Sequence, residues 1–532
     1  MKRTPSPLLK ALALIVITSL ATAALAQKSG GTLRAPLREN PGSASLHEES
    51  SISAVQTFMA VYNNLVIFDQ QDEKARPESI KPDLATEWSW SPDNLVLTMK
   101  LRQGVKWHDG KPFTSEDVKC TWDTIKEKRQ SNWRKNSHKE WYENLREVTV
   151  AGPYEVRFTL GRPQPAFLSF LASGWSPVYP CHIDGRVMRQ KPIGTGPFKV
   201  EEFKANDVIR LTKNRDYWKP GRPYLDAIEW RIMPNMATRV LSFISGNSDM
   251  TGTSTATATT LKDIKSQVPK AVCNATGSNV VGVVLMNHKV PPFDNPKVRR
   301  AISLALDRDA FVKATQGEGR PGGNLMAPPY GVWGLTPQQL ETVPGGGKNV
   351  ERNRAEARKL MSEAGFGPNN KVKTSFFVRA SSPAFLLGAS LAADQLRSIY
   401  IEGDIAVQEY SMFTSALIKG AYQMAFETSG TAVDDPDAVF YEMFKCASIR
   451  NYTKYCSRDI EAKIDEQSAM MDPVKRKKLA QAIDLQLQNE VARVPVYQST
   501  SSACWHPYVK GYVRSINGIY THHRMEDVWL DK

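Results

Sequence analysis

The sequence predicts an α/β protein built as two lobes, and three observations carry that expectation. The chain has 532 residues, beyond the ~250–300 at which a single hydrophobic core stops growing. Apolar residues at strand period alternate along it with stripes at helical period, the pattern of mixed α/β lobes. In the second half, helix starts are marked by a recurrent pairing of a capping side chain with proline.

The strands come first. Leu95, Leu97, Met99 and Leu101 share one face after the turn Ser91-Pro92-Asp93-Asn94, as a half-buried strand requires. Val156, Phe158 and Leu160 repeat that period after Gly152-Pro153, and Ile209 with Leu211 does so again. The run Val280 to Met286 is apolar throughout, so it is expected to be a strand buried on both faces. The helices follow. Asn295-Pro296, Ser382-Pro383 and Asp472-Pro473 each set a side-chain acceptor before a proline at the first helical position, where a missing N–H costs nothing. Val298, Ile302, Ala305 and Leu306 then form one stripe, and Leu479, Ile483 and Leu487 another. Ala357, Leu360, Met361 and Ala364 line a third, ended by Gly365. Gly388-Ala389-Ser390-Leu391-Ala392 lies within a predicted helix, so it reads as helix packing rather than a nucleophile elbow.

The N-terminus reads as an export signal. Lys2, Arg3 and Lys10 precede the apolar run Ala11 to Leu20, and Ala24-Leu25-Ala26 supplies small residues before Gln27. The run is shorter than the ~20 residues that span a bilayer. The mature chain is expected to start at Gln27, in the periplasm, and with no Cys at the cleavage point it carries no lipid anchor. Formal net charge is +14, and removing those three basic residues leaves +11. Basic residues are scattered among acidic ones and the densest cluster, Lys475 to Lys478, falls on a predicted helix face. A solvated surface is therefore expected rather than a nucleic-acid site.

Six cysteines in an exported protein invite disulfides. Cys446 and Cys456, close together and beside polar loop residues, are the best pair. Cys120 and Cys504 read as small buried hydrophobes, and Cys181 and Cys273 have no assignment. No C-x-x-C spacing, H-E-x-x-H or phosphate loop appears. Gly345-Gly346-Gly347-Lys348 lacks the Walker spacing and reads as a surface loop, and His522-His523 as a solvated pair. The expectation is a binding protein with no catalytic residues, metal or cofactor.

Four blocks, in order, carry a family resemblance. The first is Pro82-Asp83-Leu84-Ala85-Thr86-Glu87-Trp88 with Leu101 to Val118, which contains Gly104, Trp107-His108, Gly110 and Pro112. The second is Pro192-Ile193-Gly194-Thr195-Gly196-Pro197-Phe198 with Asn214-Arg215-Asp216-Tyr217-Trp218. The third runs from Phe293 to Ser303 and on to Asp307-Arg308, and the fourth is Val494-Pro495-Val496-Tyr497-Gln498 with Val509-Lys510-Gly511-Tyr512. Together they resemble the peptide/nickel/opine solute-binding proteins of ABC importers. Read without the family, the glycines and prolines shape tight turns, with Trp107-His108 exposed on an ordered loop. The blocks are scaffold rather than ligand contacts.

The resemblance implies a periplasmic-binding-protein-like fold with crossing hinge strands near Val281–Asn287 and Val494–Gln498. Residues 27–284 and 499–532 would form the first lobe, with 69–191 as an extra subdomain, and 285–498 the second. A monomer would close on its ligand by hinge bending and deliver it to permease subunits in the inner membrane. The sequence leaves two alternatives, an exported hydrolase on the same scaffold and a ligand-binding sensor. Bridging of Cys446 and Cys456 is also what some relatives imply.

For the ligand site, the resemblance implies Ser51, Ser53, Ser429, Thr431, Ala432, Asp434, Asp435, Tyr497 and Gln498, with the loop Glu427 to Asp437 lining the cleft. In dipeptide and oligopeptide binders an Asp four residues before the loop's proline pairs with the ligand's ammonium. Counting from Pro436 puts Ala432 there, and the ten residues from Pro436 to Cys446 support the register. Ser429 replaces the usual aromatic residue. Asp434 or Asp435 would substitute only if the loop shifts. A buried ammonium without its carboxylate keeps its desolvation cost and loses a charge-assisted bond. The ligand implied either lacks an α-ammonium or has it held elsewhere: a modified or cyclic peptide, an opine, a sugar or an aromatic acid.

Overall fold

The structure, a computed structural model, describes residues 27–129, 132–134, 136–252, 258–315, 320–321, 325–326, 332–380, 383–515 and 520–532. The expected export signal and the capping Ser382 lie outside them. Two lobes are built on separate sheets. In the first lobe the strand order is Thr32–Leu37, Ala227–Ile232, Val208–Lys213, Phe198–Lys204, with only the first pair parallel. Beside it stands an antiparallel sheet in the order Ala85–Trp90, Val96–Leu101, Glu155–Leu160, Leu145–Gly152, which forms the extra subdomain. The strand residues Leu97, Met99, Val156, Phe158 and Leu160 are buried, as their period-two spacing requires.

The second lobe holds a mixed sheet in the order Arg320–Pro321, Val494–Trp505, Val272–Met286, Met424–Gly430, Val372–Arg379, Ile401–Gln408. Its core packs Val284, Met286, Phe376 and Phe426 against the helices Pro296–Ala305 and Val350–Glu363. Asn295 and Asp472 cap their helices as expected, with proline next, and Gly365 has φ +89°. The long strands Val272–Met286 and Val494–Trp505 cross between the lobes. Their pairing runs from Val272↔Trp505 to Val284↔Val494. At one end Cys504 packs with Phe243 and Ile264, and at the other Val284 and Val494 enter the second core.

Several expectations are corrected. Cys120 is bonded to Cys181 and Cys504 to Cys273, so neither is a free hydrophobe, while Cys446–Cys456 is bridged as expected. Trp107 is buried, donating to Asp117 Oδ2 at 3.2 Å. His108 accepts from the Gly194 N–H at 3.2 Å, and its Nε2 meets the Gly196 carbonyl at 3.0 Å. The first two sequence blocks therefore bolt to each other. Gly194 and Gly196 of the second block are required by the Val61 backbone, since a Cβ would stand 1.9 Å from the Val61 carbonyl oxygen at Gly194 and 2.4 Å from the Val61 carbonyl carbon at Gly196. His522 and His523 are buried rather than solvated, and burial lowers the His522 pKa to about 4. Within Lys475 to Lys478, Arg476 is buried because Asp435 and Asp437 pair with it. Gly345 to Lys348 form a surface loop as expected, with Gly347 and Lys348 exposed, and the Gly345 carbonyl accepts from Arg308, whose guanidinium also reaches Ser303 and Pro495.

Candidate functional site

The strand Met424–Gly430 presents Glu427 and Ser429 on one face of the second sheet. Val281 lies opposite Ser429 on one side and Gln498 on the other, so Ser429 and Gln498 flank it in a single row. Glu427 is buried and pairs with Arg379, from the end of Val372–Arg379, at 3.1 Å. Arg379 also donates to Thr428 Oγ1 at 3.3 Å and lies 4.2 Å over the Phe385 ring and 5.5 Å from that of Tyr410.

From these residues a charged network reaches across to the first lobe. Arg379 lies in the field of Glu427, Glu39, Tyr410 and Tyr520. Arg38 and Glu39 follow the strand Thr32–Leu37, and Ser53 donates to Glu39 Oε1 at 3.3 Å. Tyr520 comes from the C-terminal segment, and its hydroxyl would be 2.5 Å from a Cβ at Gly430. A side chain at Gly430 would have to displace the tip of the Tyr520 ring. Arg450 pairs with Glu442 at 2.5 Å and faces Tyr452 and Tyr520. Glu442 also meets His138 of the first lobe.

The electrostatics follow from burial. It raises the pKa of Glu427, with Arg379 opposing, and it raises those of Tyr410 and Tyr520. Burial works against the charge of Arg379 and of Arg450, yet Glu427 and Glu442 hold both pKa values above the ordinary arginine value. Arg38, Arg379 and Arg450 each keep a buried Nε–H with no acceptor among the described residues. Buried donors of this kind are usually matched in native proteins, and Arg38, Arg379 and Arg450 all lie around Tyr520.

The expected contact set divides. Ser429, Gln498 and Ser53 lie along this network, and Thr431 and Ala432 follow the strand, nearly buried. Ser51 caps the helix Ile52–Phe58, accepting from the Ala54 N–H at 3.3 Å. Tyr497 is a core residue, its ring over Gly282 and stacked 6.4 Å from Phe426. Asp435 caps the helix Pro436–Phe444 and holds Arg476 through two contacts of 2.7 and 2.8 Å. The Asp434 carbonyl accepts from Trp333 Nε1 at 3.0 Å, and burial raises its carboxyl pKa to about 7. Arg38, Glu39, Arg379, Tyr410, Arg450, Tyr452 and Tyr520 carry no sequence signal. They are scattered over most of the chain and meet only through the fold. Among the described residues no cluster of three or more metal-ligating side chains forms, and no helix is long and apolar enough to cross a membrane.

The profile of the bacterial extracellular solute-binding proteins, family 5 (middle region), matches residues 79–451. The chain belongs to this family. Its members are periplasmic or extracellular substrate-binding proteins that serve ABC importers and bind substrates without converting them. Heme-binding protein A of Haemophilus influenzae is 27% identical, covering 91% of this chain and 89% of its own length. The dipeptide-binding protein of Escherichia coli is 26% identical, with 87% and 88% covered. Among solved structures, the periplasmic binding protein DppA of Helicobacter pylori, in complex with the peptide STSA, superposes with a TM-score of 0.83 at 25% identity. It covers 95% of this chain and 99% of its own. The oligopeptide-binding protein AppA of Bacillus subtilis shares the fold at a TM-score of 0.84 and 22% identity, covering 95% of this chain and 100% of its own.

Proposed function

We propose that this family member is a periplasmic monomer that closes on a small solute of the peptide class. It recognises the solute by its carboxylate rather than by a free α-ammonium, and delivers it to the permease subunits of its importer. The observation that carries this reading is the trio Arg38, Arg379 and Arg450, whose Nε–H groups are buried and meet no acceptor among the described residues. The loop that would otherwise supply an acidic socket offers Ala432, and its Asp435 is committed to Arg476. Dipeptides and haem, named for the two relatives, share carboxylates rather than an ammonium, which fits a site centred on guanidinium groups. In this reading residues 1–26 direct export. Residues 27–284 and 499–532 form the first lobe, with 69–191 as its subdomain, and 285–498 the second. The cleft lies along Ser429, Gln498 and the arginines.

A melting series tests it. A ligand at ~100 times its dissociation constant stabilises the fold by about 2.7 kcal/mol. N-acetylated di- and tripeptides with a free C-terminus are expected to raise the melting temperature at least as much as unmodified ones, and C-terminal amides are expected to fail. If unmodified peptides stabilise the protein and their N-acetylated forms do not, the reading is wrong.

A further inference from the structure

We propose that Arg162 and Gln164, outside the solute cleft, latch the two lobes together and so set the closed population before any solute arrives. The helix Pro436–Phe444 is buried at every position. It continues directly from the loop that follows Gly430, so the loop and the helix are carried by the same short stretch of chain. The extra subdomain reaches this helix with three side chains. Gln164 Nε2 donates to Asp437 Oδ2 at 3.1 Å, with both residues buried. Arg162 Nη2 donates to Asp465 Oδ1 at 2.9 Å, and the Tyr441 hydroxyl, beside that guanidinium, reaches the same oxygen at 2.6 Å. His138 meets Glu442 a turn further along.

The subdomain side is shaped in advance. Asn144 Oδ1 accepts from the Arg162 N–H at 3.0 Å, and Asn144 Nδ2 donates to the Arg162 carbonyl at 2.8 Å and to Gln164 Oε1 at 3.4 Å. The other side is equally fixed, since Asp437 accepts from Gln467 at 2.5 Å, Ser468 at 2.7 Å and Arg476 at 3.1 Å. The helix also shares an apolar core with the subdomain, Phe440, Tyr441 and Phe444 lying in one cluster with Trp141, Tyr142 and Phe170, and the two prepared polar surfaces add to that contact and favour closure whatever lies in the cleft. A change in the closed fraction scales every solute's affinity by one factor and leaves selectivity untouched. Arg162 and Gln164 are thus positioning residues for binding. The inference rests on lobe closure and not on the chemical class of the solute.

The test uses no solute. Every native cysteine is in a disulfide, so Glu116→Cys on the helix Ser115–Ile125 and Lys359→Cys on Val350–Glu363, both exposed, accept spin labels selectively. Distance distributions are recorded on full-length mature protein stripped of bound molecules by dialysis. The otherwise native protein is expected to show closed and open populations. Arg162→Ala with Gln164→Ala is expected to lower the closed-to-open ratio roughly tenfold, for two interactions of which one is between charges. Arg162→Lys should keep most of the ratio. Gln164→Glu, which sets a carboxylate against Asp437 at little change in volume, should open the protein at neutral pH. An unchanged ratio in the folded double variant overturns the latch, as does a native protein with no closed population. Loss of the fold in both the double variant and Gln164→Glu also overturns it, because the contacts would then belong to one rigid core.

Discussion

Replacing Arg379 by methionine separates what its guanidinium does for the fold from what it does for the solute. The variant leaves the buried Glu427 carboxylate with the Thr428 N–H at 2.9 Å but without its cation. Burial already raises the Glu427 pKa against the opposing Arg379 charge, so removing that charge raises it further. Glu427 then takes up a proton in the folded state. Relative to wild type the cost grows by up to about 1.4 kcal/mol for each pH unit above wild-type Glu427's own raised pKa, so the span above the unfolded value near ~4.3 sets only its upper limit. At pH 7 that limits the penalty to about 3.7 kcal/mol, within the ~3–5 kcal/mol found when one partner of a buried pair is removed. The sign is fixed. A raised carboxyl pKa gives full stability below the unfolded value and loses it as pH rises toward the folded one. Loss of the contacts with Phe385 and Tyr410 adds about 1 kcal/mol at every pH. Urea titrations of wild type and variant between pH 4 and 8 should therefore show a deficit of about 1 kcal/mol at pH 4 that grows steadily to pH 7. Adding Glu427→Gln should restore most of the stability at pH 7 while solute binding remains lost. A deficit flat in pH, or a double variant that binds solute as wild type does, would refute this division of roles.

Three further outcomes are expected. Peptide mapping without reductant should recover three bridges. Removing Cys446–Cys456, ten residues apart, should cost about 2.7 kcal/mol and Cys120–Cys181, 61 apart, about 4.3 kcal/mol, so a larger loss from the shorter loop would contradict the entropic account. Arg524→Met breaks a fully buried pair with Asp83 at 2.8 Å and should cost roughly 3–5 kcal/mol at pH 7. Burial works to raise the Asp83 pKa, but Arg524 and Lys219 outweigh it and hold the pKa low. The contribution is therefore present above the unfolded value and lost as pH falls through the folded one, and a deficit that grows in acid would be the wrong sign. Gly194→Ala should lower the urea midpoint sharply, because its Cβ meets the Val61 backbone rather than a side chain that can move. A midpoint within error of wild type would show that this packing is not needed.

The elements of the fold were legible where local chemistry decides them. Period-two apolar residues gave the strands around Leu97 and Val156, and the Asn295-Pro296 and Asp472-Pro473 pairs gave helix starts, because each signal sits within one turn or one strand. What could not be read depends on partners distant in the chain. Cys120 and Cys504 look like buried hydrophobes until partners 61 and 231 residues away are known. Arg476 looks like part of a solvated basic face because nothing nearby announces Asp435 and Asp437. For the proposed site the sequence offers a loop and a register that sets Ala432 before Pro436, whereas Arg38, Arg379 and Arg450 lie on three separate segments that only the fold brings around Tyr520.

The most direct test of the account is to purify the mature protein from the periplasm, release its bound solute by mild denaturation, and weigh it. A stoichiometric small molecule is expected that bears a carboxylate and has either no α-amine or a blocked one, and that rebinds wild-type protein but not the Arg379→Met/Glu427→Gln variant. Recovery of unmodified peptides with free N-termini, binding equally to both proteins, would contradict it.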